Sequence, residues 1–200
     1  MPMLDRTFYE RDTLIVAEEL LGKYLVRQYN GKYIVGRITE VEAYIGATDK
    51  ACHAYAGKKT QRTQVLYEQG GTCYVYFVYG MYYCANIVTE PKDAAAAVLL
   101  RGVDIVEGKA IAASLRYKKD WQELSAYQRK NLSNGPGKLC NALGITKEDN
   151  QGSFCSEELF ITDVWKEYGT IEFDITRGPR IGIGYAEEAI DFPWRFCLQT

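Results

Sequence analysis

Between Thr39 and His53 the chain places two carboxylates at i and i+2 (Glu40 and Glu42), Tyr44 and its only histidine, His53. In extended backbone Glu40, Glu42 and Tyr44 share one face. A carboxylate kept ionised beside a cation can act as a general base toward water, a role worth roughly 10²–10⁴ in rate. Arg101 is the expected cation, because it ends an alanine- and leucine-rich run whose burial obliges a charge to find a partner. A second segment, Cys73-Tyr-Val-Tyr-Phe-Val-Tyr-Gly-Met-Tyr-Tyr-Cys-Ala-Asn86, carries Tyr76, then Tyr79 ahead of Gly80 at a tight-turn signal, then Asn86. A third, Asn134-Gly-Pro-Gly-Lys138, opens a helix with free backbone amides beside Lys138, the makings of a phosphate seat. A base, a stacking pocket and a projecting ring are what chemistry on one base inside duplex DNA requires.

Each of these features has a plainer reading. Paired carboxylates on a strand are usually a solvated face, a single histidine is usually structural, and strand tyrosines usually pack. Asn86 could be a simple hydrogen bonder, and Asn-Gly-Pro-Gly is common at helix starts. Tyr79 is the odd one, since a large ring at a turn gains little burial. Pro2 invites comparison with enzymes that use an N-terminal proline as a Schiff-base nucleophile, but nothing else in the chain matches that design.

Composition narrows the field. Sixteen tyrosines are many for 200 residues and suit wet stacking surfaces, flat and apolar with a polar tip. Cysteines 52, 73, 84, 140, 155 and 197 form no Cys-x-x-Cys pair, so they read as reduced core residues, with no metal site and no cofactor expected. That also argues against a zinc deaminase, another enzyme class that needs a flipped base. Net charge is −2, poor for a DNA binder, but it is segregated: residues 1–138 carry +4 and residues 139–200 carry −6. Residues 50–67 hold four bases and no acid, and residues 109–138 hold seven bases against two acids, so a basic face is possible. No apolar run approaches the roughly 18 residues of a membrane span, and the first thirteen residues are charged. The expectation is a protein without membrane contact, cytoplasmic if bacterial.

The elements that position these residues follow from pattern. Residues 11–22 read as a helix capped by Asp12 or Thr13 and stopped at Gly22. Strands 24–28 and 33–38 flank Asn30-Gly31, a hairpin signal, and 39–45 continues extended. Residues 46–71 read as loop, 73–89 as the aromatic hairpin, and 95–100 as a buried strand. Helices are expected at 107–116, 120–132 and 136–143, and tail strands at 158–161, 171–176, 180–185 and 196–199. Strands and helices do not alternate regularly, so the fold class is α+β. One domain spanning 1–200 is expected, with a mixed, largely antiparallel curved sheet, flanking helices and a protruding hairpin.

Taken as a set, Glu-Ala-Tyr at 42–44, His53, Tyr-x-x-Tyr-Gly-Met-Tyr at 76–82, Asn86, Leu-Leu-Arg at 99–101 and Asn-Gly-Pro-x-Lys-Leu-Cys at 134–140 resemble the alkyladenine (3-methyladenine) DNA glycosylase family. The likeness runs from about Leu14 to Phe196. It implies a monofunctional enzyme of base excision repair that flips alkylated or deaminated purines from duplex DNA. The lesions implied are 3-methyladenine, 7-methylguanine, hypoxanthine and ethenoadenine. By the same likeness Glu42 activates the attacking water and Arg101 helps hold it, while Tyr44, His53 and Tyr76 contact the flipped base. Tyr79 fills the vacated stack from the minor groove, and Asn86 crowds the 2-amino group of guanine. The partner implied is double-stranded DNA, met as a monomer. The chain departs from the family pattern in the segment after Asn86 and at Phe77, Val78 and Tyr83, positions that bear on lesion preference. Two other classes fit parts of the pattern. A damage-binding protein would need no carboxylate at 42, and a nucleoside hydrolase would need no projecting Tyr79.

Overall fold

The computed structural model describes residues 2–168 and 172–199. Its centre is one long strand, β2 (Lys32–Ile45), entered from β1 (Tyr24–Tyr29) through Asn30-Gly31. Both turn residues sit at positive φ, 49° and 71°, as the mirror-image hairpin turns require. The strands expected at 33–38 and 39–45 are thus a single strand, bent by register shifts at Val35/Gly36 and between Ile38 and Val41. One edge of β2 pairs with β5 (Ala96–Glu107) along most of its length. The other edge is shared: β1 takes residues 32–37 and β8 (Arg195–Gln199) takes 40–42. Beyond β5 come β4 (Tyr82–Thr89) and β3 (Cys73–Val78); β6 (Leu159–Thr162) joins β1, and β7 (Asp174–Gly178) joins β8. Every strand pairing among the described residues is antiparallel.

Five short α-helices accompany the sheet: α1 (Arg6–Tyr9), α2 (Thr13–Leu20), α3 (Lys109–Tyr117), α4 (Ala126–Lys130) and α5 (Pro136–Leu143). The Asp12 carboxylate accepts from the Leu14 and Ile15 amides and starts α2. Gly144 in the left-handed region ends α5. No helix among the described residues is long and apolar enough to cross a membrane.

Four local expectations are corrected. The strand expected to end at Arg101 continues to Glu107, so Arg101 lies mid-strand, where Gly102 pairs with Glu40. The helix expected over 120–132 is broken, because Asp120/Glu123 and Ser125/Gln128 form two consecutive capping boxes. Each box restarts a helix, and Leu124 between them is extended. Residues 180–185, expected as a strand, form a turn-rich segment whose backbone is recruited elsewhere, as described below. Of the strand expected at 171–176, Ile171 lies outside the described residues and the strand begins at Asp174.

Period-two alternation divides the sheet into two faces. Val41, Ala43, Cys73, Val75, Ala85, Ile87, Val98 and Leu100 point into the main core, where Val16 and Leu20 of α2 and Leu139 and Leu143 of α5 cover them. Their neighbours Glu42, Tyr44, Tyr74, Tyr76, Cys84, Asn86, Ala97, Leu99 and Arg101 face the other way. Register places Tyr74, Asn86, Leu99 and Glu42 in one row across β3, β4, β5 and β2. The loop between β2 and β3 lays Cys52, Ala54, Val65 and Leu66 against that second face.

Gly108 fastens α3 to the sheet. It holds φ 78°, and a Cβ there would lie 2.4 Å from the Tyr33 carbonyl oxygen and 2.9 Å from Ile34 Cα, both backbone atoms unable to yield. Gly108→Ala is therefore expected to destabilise the fold by about 1–3 kcal/mol. A urea melt with an unchanged midpoint would show that the α3 junction is not held by this close approach.

Candidate active site

A cavity of about 500 Å³ opens on the second face. Tyr44, His53, Tyr76 and Asn86 line it together with Arg101. Tyr79 and Lys138 stand at its margins. Glu42 does not line it. The carboxylate lies beneath Tyr44 and Arg101 with no exposed surface.

Three donors hold Glu42. Its Oε2 accepts from the Tyr44 hydroxyl at 2.8 Å and from Arg101 Nη1 at 3.3 Å, and its Oε1 accepts from the Ile181 amide at 2.7 Å. Burial raises its pKa above the ordinary carboxylate range, and Arg101, Ile181 and Tyr44 pull it back only in part. Four lone-pair positions and three donors leave one position able to take a proton. Arg101 is gripped from the other side by Glu40, whose Oε1 accepts from Arg101 Nε at 2.8 Å and from Arg195 Nη1 at 3.3 Å. Glu40 thus orients the arginine that meets Glu42. Both carboxylates pair with cations, so the plain reading of a solvated face does not describe them.

The aromatic wall is closely knit. His53 Nδ1 lies 2.9 Å from the Tyr74 hydroxyl, and its ring meets Tyr76 edge-on at 4.8 Å. Burial, with Arg62 and Lys58 nearby, lowers the His53 pKa to about 4, so the ring is neutral at pH 7. Arg62 lies over Tyr76 at 4.9 Å and borders the cavity. Asn86 is fixed by its Nδ2 donating to the Tyr74 carbonyl at 3.0 Å, which leaves its amide oxygen free of that bond. Among the described residues no cluster of three or more His, Cys, Asp or Glu side chains could hold a metal.

Two expected residues stand apart from this group. Tyr79 is 81% exposed at the hairpin tip. There the Met81 amide donates to the Val78 carbonyl, and Tyr79 and Gly80 hold φ 54° and 68°. Lys138, in the first turn of α5, donates to the Asn131 and Asn134 side-chain oxygens at 2.7 and 3.0 Å, beside Arg116 at the cavity rim. Sequence reasoning missed Tyr74, Arg62 and the Ile181 amide. Alternation with Tyr76 would have found Tyr74. A backbone amide in a segment read as a strand had no signal to find.

A curved antiparallel sheet that carries a buried carboxylate under an aromatic cavity, with a bare tyrosine beside the opening, belongs to the class of DNA glycosylases, hydrolases of N-glycosyl bonds in DNA. Residues 7–200 match the methylpurine-DNA glycosylase (MPG) family, and the chain belongs to that family. It is similar to bacterial proteins named as candidate 3-methyladenine DNA glycosylases. The Clostridium perfringens (strain SM101) protein is 54% identical over 199 residues, covering 98% of this chain and 95% of the relative. That of Alkaliphilus oremlandii is 50% identical over 196 residues (98% and 95%), and that of Clostridium novyi 49% over 199 (100% and 96%).

The Tyr44 hydroxyl helps keep Glu42 ionised. Tyr44→Phe deletes that donor while leaving Arg101 and Ile181 in place. A hydrogen bond to a charged group favours the charged form, so its loss is expected to raise the Glu42 pKa further. Carboxyl carbon chemical shifts followed through a pH titration read this directly. A pKa that stays put or falls would remove Tyr44 from the carboxylate's support.

Proposed function

We propose that the chain excises alkylated and deaminated purines (3-methyladenine, 7-methylguanine, hypoxanthine and ethenoadenine) by drawing the nucleotide from the duplex into the cavity. Water activated by Glu42 then hydrolyses the glycosidic bond. The observation that carries this reading is the buried Glu42, held by Tyr44 and Arg101, which line an aromatic cavity large enough for one base, and by the amide of Ile181. Water adds to C1′ as the bond to the purine nitrogen breaks. The bonding electrons leave with the base, the water proton passes to Glu42, and an abasic site remains. Arg101 keeps the carboxylate charged and steadies the water. Lys138, the lysine that lines the cavity, is held by Asn131 and Asn134, which supports hydrolysis without a following lyase step.

Leaving-group chemistry favours damaged bases. Alkylation at N3 or N7 makes the purine a cation that departs neutral, and cations stack well on tyrosine faces such as those of Tyr44 and Tyr76. His53, neutral at pH 7, serves as wall and hydrogen-bonding partner rather than as an imidazolium acid. Asn86, pinned to Tyr74, places a fixed polar group where a guanine 2-amino group would need room.

The DNA partner meets the chain as a monomer through its minor groove, with Tyr79 as the inserted ring. Arg62, Arg116 and Lys138 at the rim supply positive charge for the phosphates. Tyr79 pays for exposure with strain: an L-residue in the left-handed region costs about 1–2 kcal/mol, which a packing role does not explain for a side chain packed on so little.

Glu42→Gln keeps the shape of the site, with its amide oxygen still on the Ile181 amide. Affinity for lesion-bearing duplex is expected to fall by less than about tenfold and single-turnover excision by at least ~10². Near-normal excision would take Glu42 out of the mechanism. At the hairpin, Tyr79→Gly relieves the backbone and should leave the melting temperature unchanged or slightly higher. The fluorescence change of ethenoadenine in duplex should shrink as less base is held extrahelical. Unaltered flipping, or a lost melting transition, would make Tyr79 a packing residue.

A further inference from the structure

Outside the cavity, one buried ion pair lies directly behind Tyr44. Arg180 and Asp49 both have fully buried side chains. Arg180 Nη1 donates to Asp49 Oδ2 at 2.6 Å and to the Ala43 carbonyl at 2.8 Å. Its Nη2 donates to Asp49 Oδ1 at 2.8 Å and to the Ala189 carbonyl at 3.2 Å. The guanidinium lies over the rings of Tyr44, at 4.7 Å, and Trp194, at 5.0 Å. Tyr44 lines the cavity and Arg180 does not, so the guanidinium backs Tyr44 from the protein side.

Stability alone is a weak reason for such a pair, since well-packed apolar groups commonly serve as well in a core. Its connections offer a better one. The residue after Arg180 supplies the amide that holds Glu42 Oε1. Asp49 also accepts from the Ile45 and Ala51 amides, which shapes the turn between Tyr44 and His53.

We propose that Arg180, clamped by Asp49, is the positioning residue of the site: it sets the plane of Tyr44 and, through the backbone of Ile181, the orientation of Glu42. This rests on the reading of Glu42 as the base and Tyr44 as a stacking wall. Lysine would retain the charge opposite Asp49 but has neither the planar fork that spans Asp49, Ala43 and Ala189 nor a flat face for the two rings.

The test compares Arg180→Lys with wild type in three measurements: thermal melting, affinity for undamaged duplex, and single-turnover excision of 7-methylguanine and hypoxanthine at saturating enzyme. Arg180→Lys is expected to melt cooperatively and to bind undamaged duplex within about twofold. Its excision rate constant should fall by about 10–100-fold for both bases, the scale of a small misplacement of catalytic groups. Wild-type excision, or a loss matched by an equal loss of undamaged-duplex affinity, overturns the proposal. Should Arg180→Lys lose its melting transition, a second variant decides. An ester in place of the peptide bond before Ile181 deletes the amide proton and leaves Arg180 intact. At least tenfold slower excision is expected from it, and a wild-type rate overturns the proposal. Glu42→Gln assayed alongside separates the two readings. If it excises normally, the base assignment falls and the link through Ile181 falls with it. If it is inactive while Arg180→Lys is normal, only the positioning role falls.

Discussion

A carboxylate withdrawn entirely from water must find donors or give up its charge, and the arrangement around Glu42 is built on that constraint. The donors come from three places in the chain: Tyr44 two residues along the same strand, Arg101 on β5, and the Ile181 amide in the segment that follows β7. Burial still wins, leaving the carboxyl above its ordinary pKa and so a stronger base than a free glutamate. β2 makes this burial possible, because at residues 40–42 it is flanked by β5 on one side and β8 on the other.

Strand alternation then separates two jobs. One face of the sheet is apolar and is covered by α2 and α5; the other carries tyrosines and the charged pair, with His53 brought against it by the loop between β2 and β3. The hairpin extends the division. Its base packs Tyr74 and Tyr76 into the site, while its tip holds Tyr79 exposed and backbone-strained, a stability cost of the kind that functional positions carry.

Net charge says little about this surface. The chain is acidic overall, yet Arg62, Arg116 and Lys138 gather at the cavity rim. Lys138 is tethered by two asparagines rather than free to search. The Asp49–Arg180 pair, fully buried behind Tyr44, presents no charge to solvent.

What the sequence determined by itself were features set by neighbours along the chain. Asn30-Gly31 specified a hairpin, Asp12 and Gly144 marked helix ends, and the two-residue period put Glu42 with Tyr44, and Tyr76 across from the face of Val75. Family likeness was legible too, because its residues cluster in short motifs such as Glu-Ala-Tyr and Leu-Leu-Arg. Tertiary structure decided the rest. Arg101 sits mid-strand because β5 continues along the bulged β2, a matter of pairing that the run before Arg101 does not encode. Two capping boxes divided a stretch whose composition suits one helix. Ile181 reaches Glu42 with a backbone amide, which no residue type announces, and Asp49 meets Arg180 across 131 residues of chain. Caps, turns and alternation are short-range and leave a local trace; a hydrogen bond that closes a loop of that length depends on how the whole sheet is assembled.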